Sequence, residues 1–293
     1  MTKKYYKVAE HLFAVDANEE IFLQMENYNP FAVNGVDSIS ESDVAFSLSV
    51  ECGACVEYIE ETRQDDEGQI IICGHTAENQ STFEFILYGV SAGILLCSLD
   101  YKTATIYFAE EKFKGLNKFA INNAIMVLYA LATAKFGTAL FHAAVVTYRE
   151  RGYLFLGKSG TGKSTHARLW LRYNEGSQLL NDDNPVVRFF ENGSIAKVYG
   201  SPWSGKTPCY KNQEVLIGGF VLLEQAPYNK ISRLRGVSAY AALLPSISGK
   251  RWDKVIADGL HYTENALASH IPVWYLECLP DEAAAKICCE AIT

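Results

Sequence analysis

The chain has 293 residues, of which 49% are hydrophobic and 20% charged, and its formal net charge is −8. This allows one large domain or two of ordinary size around a sizeable core, and it excludes a disordered chain. The acidic balance, with no run of five like charges, argues against a duplex nucleic-acid partner, which needs a basic face to displace counterions from phosphates.

The amino end, MTKKYYKVAEHLFAV, has lysines but neither a long apolar stretch nor a small-residue cleavage site, so no signal peptide is expected. Residues 1 to about 112 read mostly as strands. Val44, Phe46, Leu48 and Val50 alternate with polar or small residues, a period of two. GQIIIC, STFEFILYGV and ILLCSLD-YKTATIYFA continue the pattern, with Asp100 and Tyr101 placed to turn a hairpin. No residue in this half suggests chemistry by itself.

The period changes over 117–136. Asn117 is suited to cap a helix start, Ile121, Ile125, Leu128 and Ala132 recur at helical spacing, and Gly137 is a fitting left-handed stop. Ala120 to Val146 is the most apolar segment. Asn122, Asn123, Lys135 and Gly137 interrupt it, so it reads as a buried helix and a strand rather than a membrane span. The expected division is a strand-rich N-terminal domain, 1–115, and a mixed α/β domain, 116–293.

In the second part, ALFHAAVV and GYLFLG are strand candidates flanking the polar turn Tyr148 to Arg151. A helix is predicted over 163–173. SQLL, NPVVRFF, IAKVYG, GGFVLLEQ and VWYLECL follow as strands, with helices near 236–245, 253–269 and 281–291.

Between GYLFLG and the 163–173 helix lies GKSGTGKS, Gly157 to Ser164, which fits G-x-x-x-x-G-K-[ST]. Gly157, Gly160 and Gly162 let the backbone close around an anion, with Lys158, Ser159 and Thr161 between them. The amides from about Ser159 to Ser164 and the helix dipole then favour phosphate. Lys163 would reach the β- and γ-phosphates, and Ser164 would ligate Mg²⁺, with Thr165 in support. The strand–loop–helix context separates this from a chance match.

Eighteen residues after Ser164, LLNDDNPVVR places Asp182 and Asp183 at a strand end. One carboxylate there can hold the metal and the other can take a proton from an attacking hydroxyl. The same letters are good turn composition; the loop upstream favours the catalytic reading. His142, in LFHAAVV, is either a core histidine or a partner that orients one aspartate. His166, early in the helix, reads as packing. YGSPWSGKTPCYKN, 199–212, reads as a substrate or phosphate loop, with Trp203 offering a flat face and Ser204 and Lys206 polar reach; the alternative is a structural loop around a packed Trp.

Eight cysteines fit a reducing cytosol. Cys52 and Cys55 with Cys73 and His75 imitate a zinc set, but Cys73-x-His75 is not a usual second pair, so incidental thiols are expected. Cys288 and Cys289 read as core and rim of one helix.

Together, FHAAVV, LFLGKSGTGKST and LLNDDNPVVR, in this order, resemble the catalytic domain of bacterial HPr kinase/phosphorylase, whose nucleotide site is similar to that of ATP-dependent phosphoenolpyruvate carboxykinase. The resemblance covers about 138–200. It implies a P-loop kinase using ATP and Mg²⁺, with Asp182 as base on a serine hydroxyl, Asp183 on the metal side and His142 in the place of the strand histidine. The HPr enzymes are hexameric, so a homo-oligomer is part of that implication. Their downstream arginine- and glycine-rich signature is missing here, so HPr is not the expected substrate. The loop G-x-P-W-x-G-K resembles that of divergent HPr-kinase-like proteins found beside peptide-modification genes, some of which phosphorylate a serine of a precursor peptide. The expected acceptor is thus a hydroxyl of a peptide, protein or small molecule, with no nucleic acid and no membrane. A motor or transport ATPase would carry an Asp-Glu strand end or an LSGGQ-type signature, and neither is present. A nucleotide sensor would need no base. Carboxykinase chemistry would need arginines for a dicarboxylate that the sequence does not place.

Overall fold

The alternation read from the N-terminal half builds a single mixed sheet. The computed structural model describes residues 1–35, 39–53, 55–108, 114–192, 194–205 and 207–293. They fall into two compact units, Met1–Thr133 and Ala134–Thr293.

In the first unit, β1 (Thr2–Val8) and β2 (His11–Ala17) form a hairpin, followed by a single helical turn, α1 (Glu19–Phe22). Then come β3 (Val44–Cys52), β4 (Ile59–Asp66), β5 (Gln69–His75), β6 (Ser81–Leu87), β7 (Val90–Cys97) and β8 (Thr103–Phe108). The strand order is β1-β2-β3-β8-β7-β6-β5-β4. From β4 to β8 each strand pairs antiparallel with the next, while β3 runs parallel to both β2 and β8. The Asp100–Tyr101 turn is present, with Tyr101 at φ 56°. Every residue of β4, IEETRQDD, is exposed, as suits a charged edge strand that discourages further pairing.

Helix α2 (Lys114–Thr133) lies against β3, β6, β7 and β8, burying Ala120, Ile121, Ala124, Ile125 and Leu128. By length and composition Gly115–Phe136 could cross a membrane; here it is the core helix of a sheet. Two expectations change. The helix begins at Lys114, so Asn117 is inside it rather than at its cap. It also belongs with the N-terminal sheet, because that sheet takes its apolar stripe, and this moves the boundary from 115/116 to 133/134.

The second unit is mixed α/β. Its strands are β9 (Thr138–Leu140), β10 (Ala143–Tyr148), β11 (Arg151–Leu156), β12 (Gln178–Asp183), β13 (Val186–Phe190), β14 (Ile195–Tyr199), β15 (Glu214–Gln225), β16 (Lys230–Leu234) and β17 (Val273–Cys278). The main path runs β12-β10-β11-β15-β14-β13-β9, and β17 pairs with β15 and β16. Strand β15 pairs with β11, β14 and β17. Its first residues pair with β14, and Phe220 to Gln225 pair in parallel with β17. Gly218 sits at the change, where a Cβ would come within 2.5 Å of the Tyr153 ring. The helices are α3 (Lys163–Tyr173), α4 (Val237–Leu243), α5 (Lys254–His270) and α6 (Glu282–Ile292). Trp170 of α3 is fully buried with Tyr153 and Phe155 of β11 and Cys288 of α6.

Candidate nucleotide and phosphate site

The sheet topology gathers the chemistry at one edge. Strand β10 lies between β11 and β12 and is antiparallel to both. Strands β11 and β12 therefore end at the same edge, where β10 begins. Ala144 pairs with Asp182 and Ala143 with Asp183, so His142 starts beside the two aspartates, and the loop after Leu156 opens next to them. Clefts beyond the carboxyl ends of parallel strands are where α/β sheets bind ligands.

The loop has the backbone its sequence requires. Gly157, Gly160 and Gly162 take φ of 147°, 78° and 107°, a region that side chains with a Cβ rarely adopt. The Thr161 hydroxyl donates to the Lys158 carbonyl at 2.7 Å, tightening the turn. Gln225, the last residue of β15, donates its side-chain amide to the carbonyls of Gly160 (3.2 Å) and Thr161 (3.4 Å). Gly162 precedes α3, whose first amides have no helical partner and offer themselves to an anion. Lys163 is buried and donates Nζ to the Gly157 (3.0 Å) and Lys158 (3.2 Å) carbonyls, which keeps its charge at the loop. Lys158, Ser159, Gly160 and Thr165 are exposed.

The two aspartates have different partners. The Ser164 hydroxyl donates to Asp182 Oδ1 at 2.7 Å. His142 Nδ1 lies 3.0 Å from Asp183 Oδ1, and both side chains are partly open to solvent. Neighbouring residues of a strand face opposite ways, and this separates them. Asp182 is buried beside the helix that follows the loop, and Asp183 faces the histidine.

Asn181, fully buried, braces the pair. Its Oδ1 accepts from the Asp183 amide at 3.1 Å, and its Nδ2 donates to Ser201 Oγ (3.1 Å) and to the Trp203 carbonyl (3.2 Å). Asp183 also bridges to Ser204, and the Gly205 amide donates to the Asp182 carbonyl at 2.8 Å. The SPWSG loop is thereby tied to the aspartate strand. Trp203 is only 1% exposed, so it packs into the fold and presents no flat face to a substrate. Ser204 donates its hydroxyl to the Thr207 carbonyl at 2.6 Å, and Lys206 lies outside the described residues. Sequence reasoning passed over Asn181, Ser201 and Gln225. The asparagine before Asp-Asp was the one visible signal; Gln225 ends an ordinary strand.

His166 is buried against Phe155 and accepts a hydrogen bond from Trp170 Nε1 at 3.1 Å. Burial lowers its pKa to about 4, so it is a neutral packing residue at physiological pH.

Ser164 and Asp182 supply converging oxygen donors of the kind Mg²⁺ takes alongside phosphate oxygens, and that ion needs few protein ligands. Among the described residues no group of three or more His, Cys, Asp or Glu forms a denser metal site. Cys73 and His75 instead each contact Glu61, and Cys52 and Cys55 are exposed.

No family model and no curated protein matches this chain. Among solved structures, the Hpr(Ser) kinase/phosphatase from Coxiella burnetii is similar to it at 13% identity and a TM-score of 0.29, over 51% of this chain and 85% of that one.

Proposed function

We propose that this chain is an ATP-dependent, HPr-kinase-like phosphotransferase that moves the γ-phosphate to a hydroxyl, with serine of a peptide, a protein or free serine as the expected acceptor. One observation carries this reading. Two adjacent carboxylates meet the phosphate loop with separate partners, Asp182 with Ser164 and Asp183 with His142. A nucleotide sensor needs only the first of these pairs.

The partners also support an assignment of roles. In P-loop enzymes the loop serine and a strand-end aspartate hold the metal. On this reading Asp182 takes the metal side and Asp183 the base, the reverse of the order the family resemblance implies. Bound Mg²⁺ would neutralise charge on the β- and γ-phosphates. The loop amides and Lys163 hold the phosphates in line with the acceptor. Asp183 accepts the hydroxyl proton as the new P–O bond forms and the bond from the γ-phosphorus to the β,γ-bridging oxygen breaks, ADP leaving with that electron pair, and His142 fixes the orientation of the Asp183 carboxylate. Most of the rate gain comes from positioning and charge stabilisation. A cytosolic setting with ATP and reduced thiols goes with this reading.

The test uses γ-labelled ATP with cell lysate and, separately, with free serine. Wild type should label a peptide or protein band, or serine itself. Asp183→Asn should keep Mg²⁺-dependent ATP binding while transfer falls by about 10²–10⁴-fold, the usual worth of a general base. Asp182→Asn should weaken the Mg²⁺-dependent binding itself. Transfer that survives in Asp183→Asn would remove the base assignment. ATP hydrolysis by wild type with no labelled acceptor would remove the kinase reading.

A further inference from the structure

The second unit has another concave site, away from the phosphate loop. Strand β16 runs antiparallel to β17, from Lys230 opposite Glu277 to Leu234 opposite Val273. The segment after it therefore lies at the N-terminal end of β17, whereas the phosphate loop follows the C-terminal end of β11. There, residues of β16, α4 and α5 line a half-open cavity of about 710 Å³, within the range of small-molecule sites.

Its charge pattern is unusual for an acidic chain. Arg233, near the end of β16, and Arg235, just after it, both line it. The Arg233 guanidinium lies over the Trp274 ring, 4.9 Å from its centroid. Among the described residues neither arginine has a carboxylate at ion-pair distance. Desolvation first, and then the charge of Arg235, lower the pKa of Arg233.

The acidic group that Tyr240 contacts is already engaged. Glu264 is fully buried and accepts from Arg251 Nη2 at 2.6 Å and from the Tyr240 hydroxyl at 3.1 Å. Tyr240, which lines the cavity, also lies 2.8 Å from His261 Nδ1. His270 donates Nδ1 to the Ala266 carbonyl at 2.8 Å, occupying an acceptor in the last turn of α5. The cavity thus presents two guanidinium groups with no competing carboxylate on its surface, beside the apolar side chains of Val237 and Ile271.

We propose that this cavity binds a small organic anion bearing a phosphate or carboxylate, gripped by Arg233 and Arg235, with its body against Val237, Tyr240 and Ile271. Guanidinium pairs suit planar, bidentate recognition of either group. The proposal does not rest on the kinase reading of the phosphate loop.

The experiment is calorimetric titration of the full chain with citrate and, separately, with inorganic phosphate, which tells the two anion types apart. Wild type, Arg235→Gln, the double variant Arg233→Gln/Arg235→Gln and Lys163→Ala are compared. The last reports phosphate taken by the loop. Arg235 is exposed, so its substitution leaves the core intact, and circular dichroism checks the double variant, which uncovers Trp274. At least one probe should bind at millimolar concentration or below. Its affinity should fall about tenfold or more in Arg235→Gln, as expected for losing a charge-assisted pair, and be unchanged in Lys163→Ala. The proposal is overturned if neither probe binds wild type, if binding survives both arginine substitutions, or if only Lys163→Ala abolishes it.

Discussion

Asn181 shows how much of the site depends on a residue that touches no phosphate. Its amide holds the Asp183 amide, Ser201 and the Trp203 carbonyl at once, with no exposure to water. Asn181→Ala would remove the side-chain acceptor of the Asp183 amide, while Ser201 and the Trp203 carbonyl keep other partners, and a buried unsatisfied polar group costs about 1–3 kcal/mol. A urea unfolding midpoint should fall accordingly, and phosphate transfer should drop with it because Asp183 loses its brace. An unchanged midpoint together with an unchanged rate would make Asn181 a spectator. At this scale the sequence was informative where the backbone dictates residue type. The three loop glycines, Lys163 and Ser164 stand where the motif puts them. The separate partners of Asp182 and Asp183 were less legible, because they depend on which face of β12 each residue occupies and on the register with β10. Strand alternation alone says that the two must part, but not which one meets Ser164. The Trp203 ring was misjudged because a loop rich in Gly and Pro gives no period from which burial can be read.

Helix α3 links the phosphate loop to the core, and its inner face is aromatic. His166 and Trp170 pack on Phe155, with the indole donating to the imidazole. Burial holds His166 at a pKa of about 4, against 6.5 for an unperturbed histidine. The unfolded chain therefore takes up this proton first. The contribution to stability is complete above pH 6.5 and is lost as the pH falls towards 4, an amount of about 3 kcal/mol. Unfolding free energies measured from pH 7 to 4 should show this loss in wild type and a flatter profile in His166→Gln, which keeps an acceptor for Trp170. Equal slopes in the two proteins would contradict the assignment. The helix itself was easy to read, since motif and period agree. Strand β16 was not, because Ile231 and Leu234 are three residues apart and break the period of two. Strand β4 was missed for a related reason: with all eight residues exposed it has no buried face for a pattern to mark. The start of α2 was misplaced by an attractive capping asparagine that lies within the helix.

For the whole molecule, composition and periodicity gave the right fold class, a strand-rich first part and a mixed α/β second part, while the boundary moved by the length of one helix. The thiols fit that architecture. Cys73, Cys97, Cys209, Cys288 and Cys289 are buried, and burial raises the pKa of both Cys288 and the half-buried Cys278, the latter to about 11. Such thiols stay protonated at neutral pH and are poor nucleophiles.

The parallel partners of strand β15 bear on the order in which the chain assembles. Strands β4 to β8 pair each with its sequence neighbour through short turns, so closing them costs little chain entropy. Strand β15 is the reverse case. It joins β11, made well before it, to β17, made well after it, and both pairings are parallel. Topologies that depend on such distant contacts form slowly. In pulse-labelled refolding, amides of β5 to β7 should gain protection from exchange before those of β15, and simultaneous protection would contradict this. Because the glycine loop contacts Gln225 at the end of β15, the proposed capacity to bind nucleotide should appear only with that late strand, after the first unit's meander has closed.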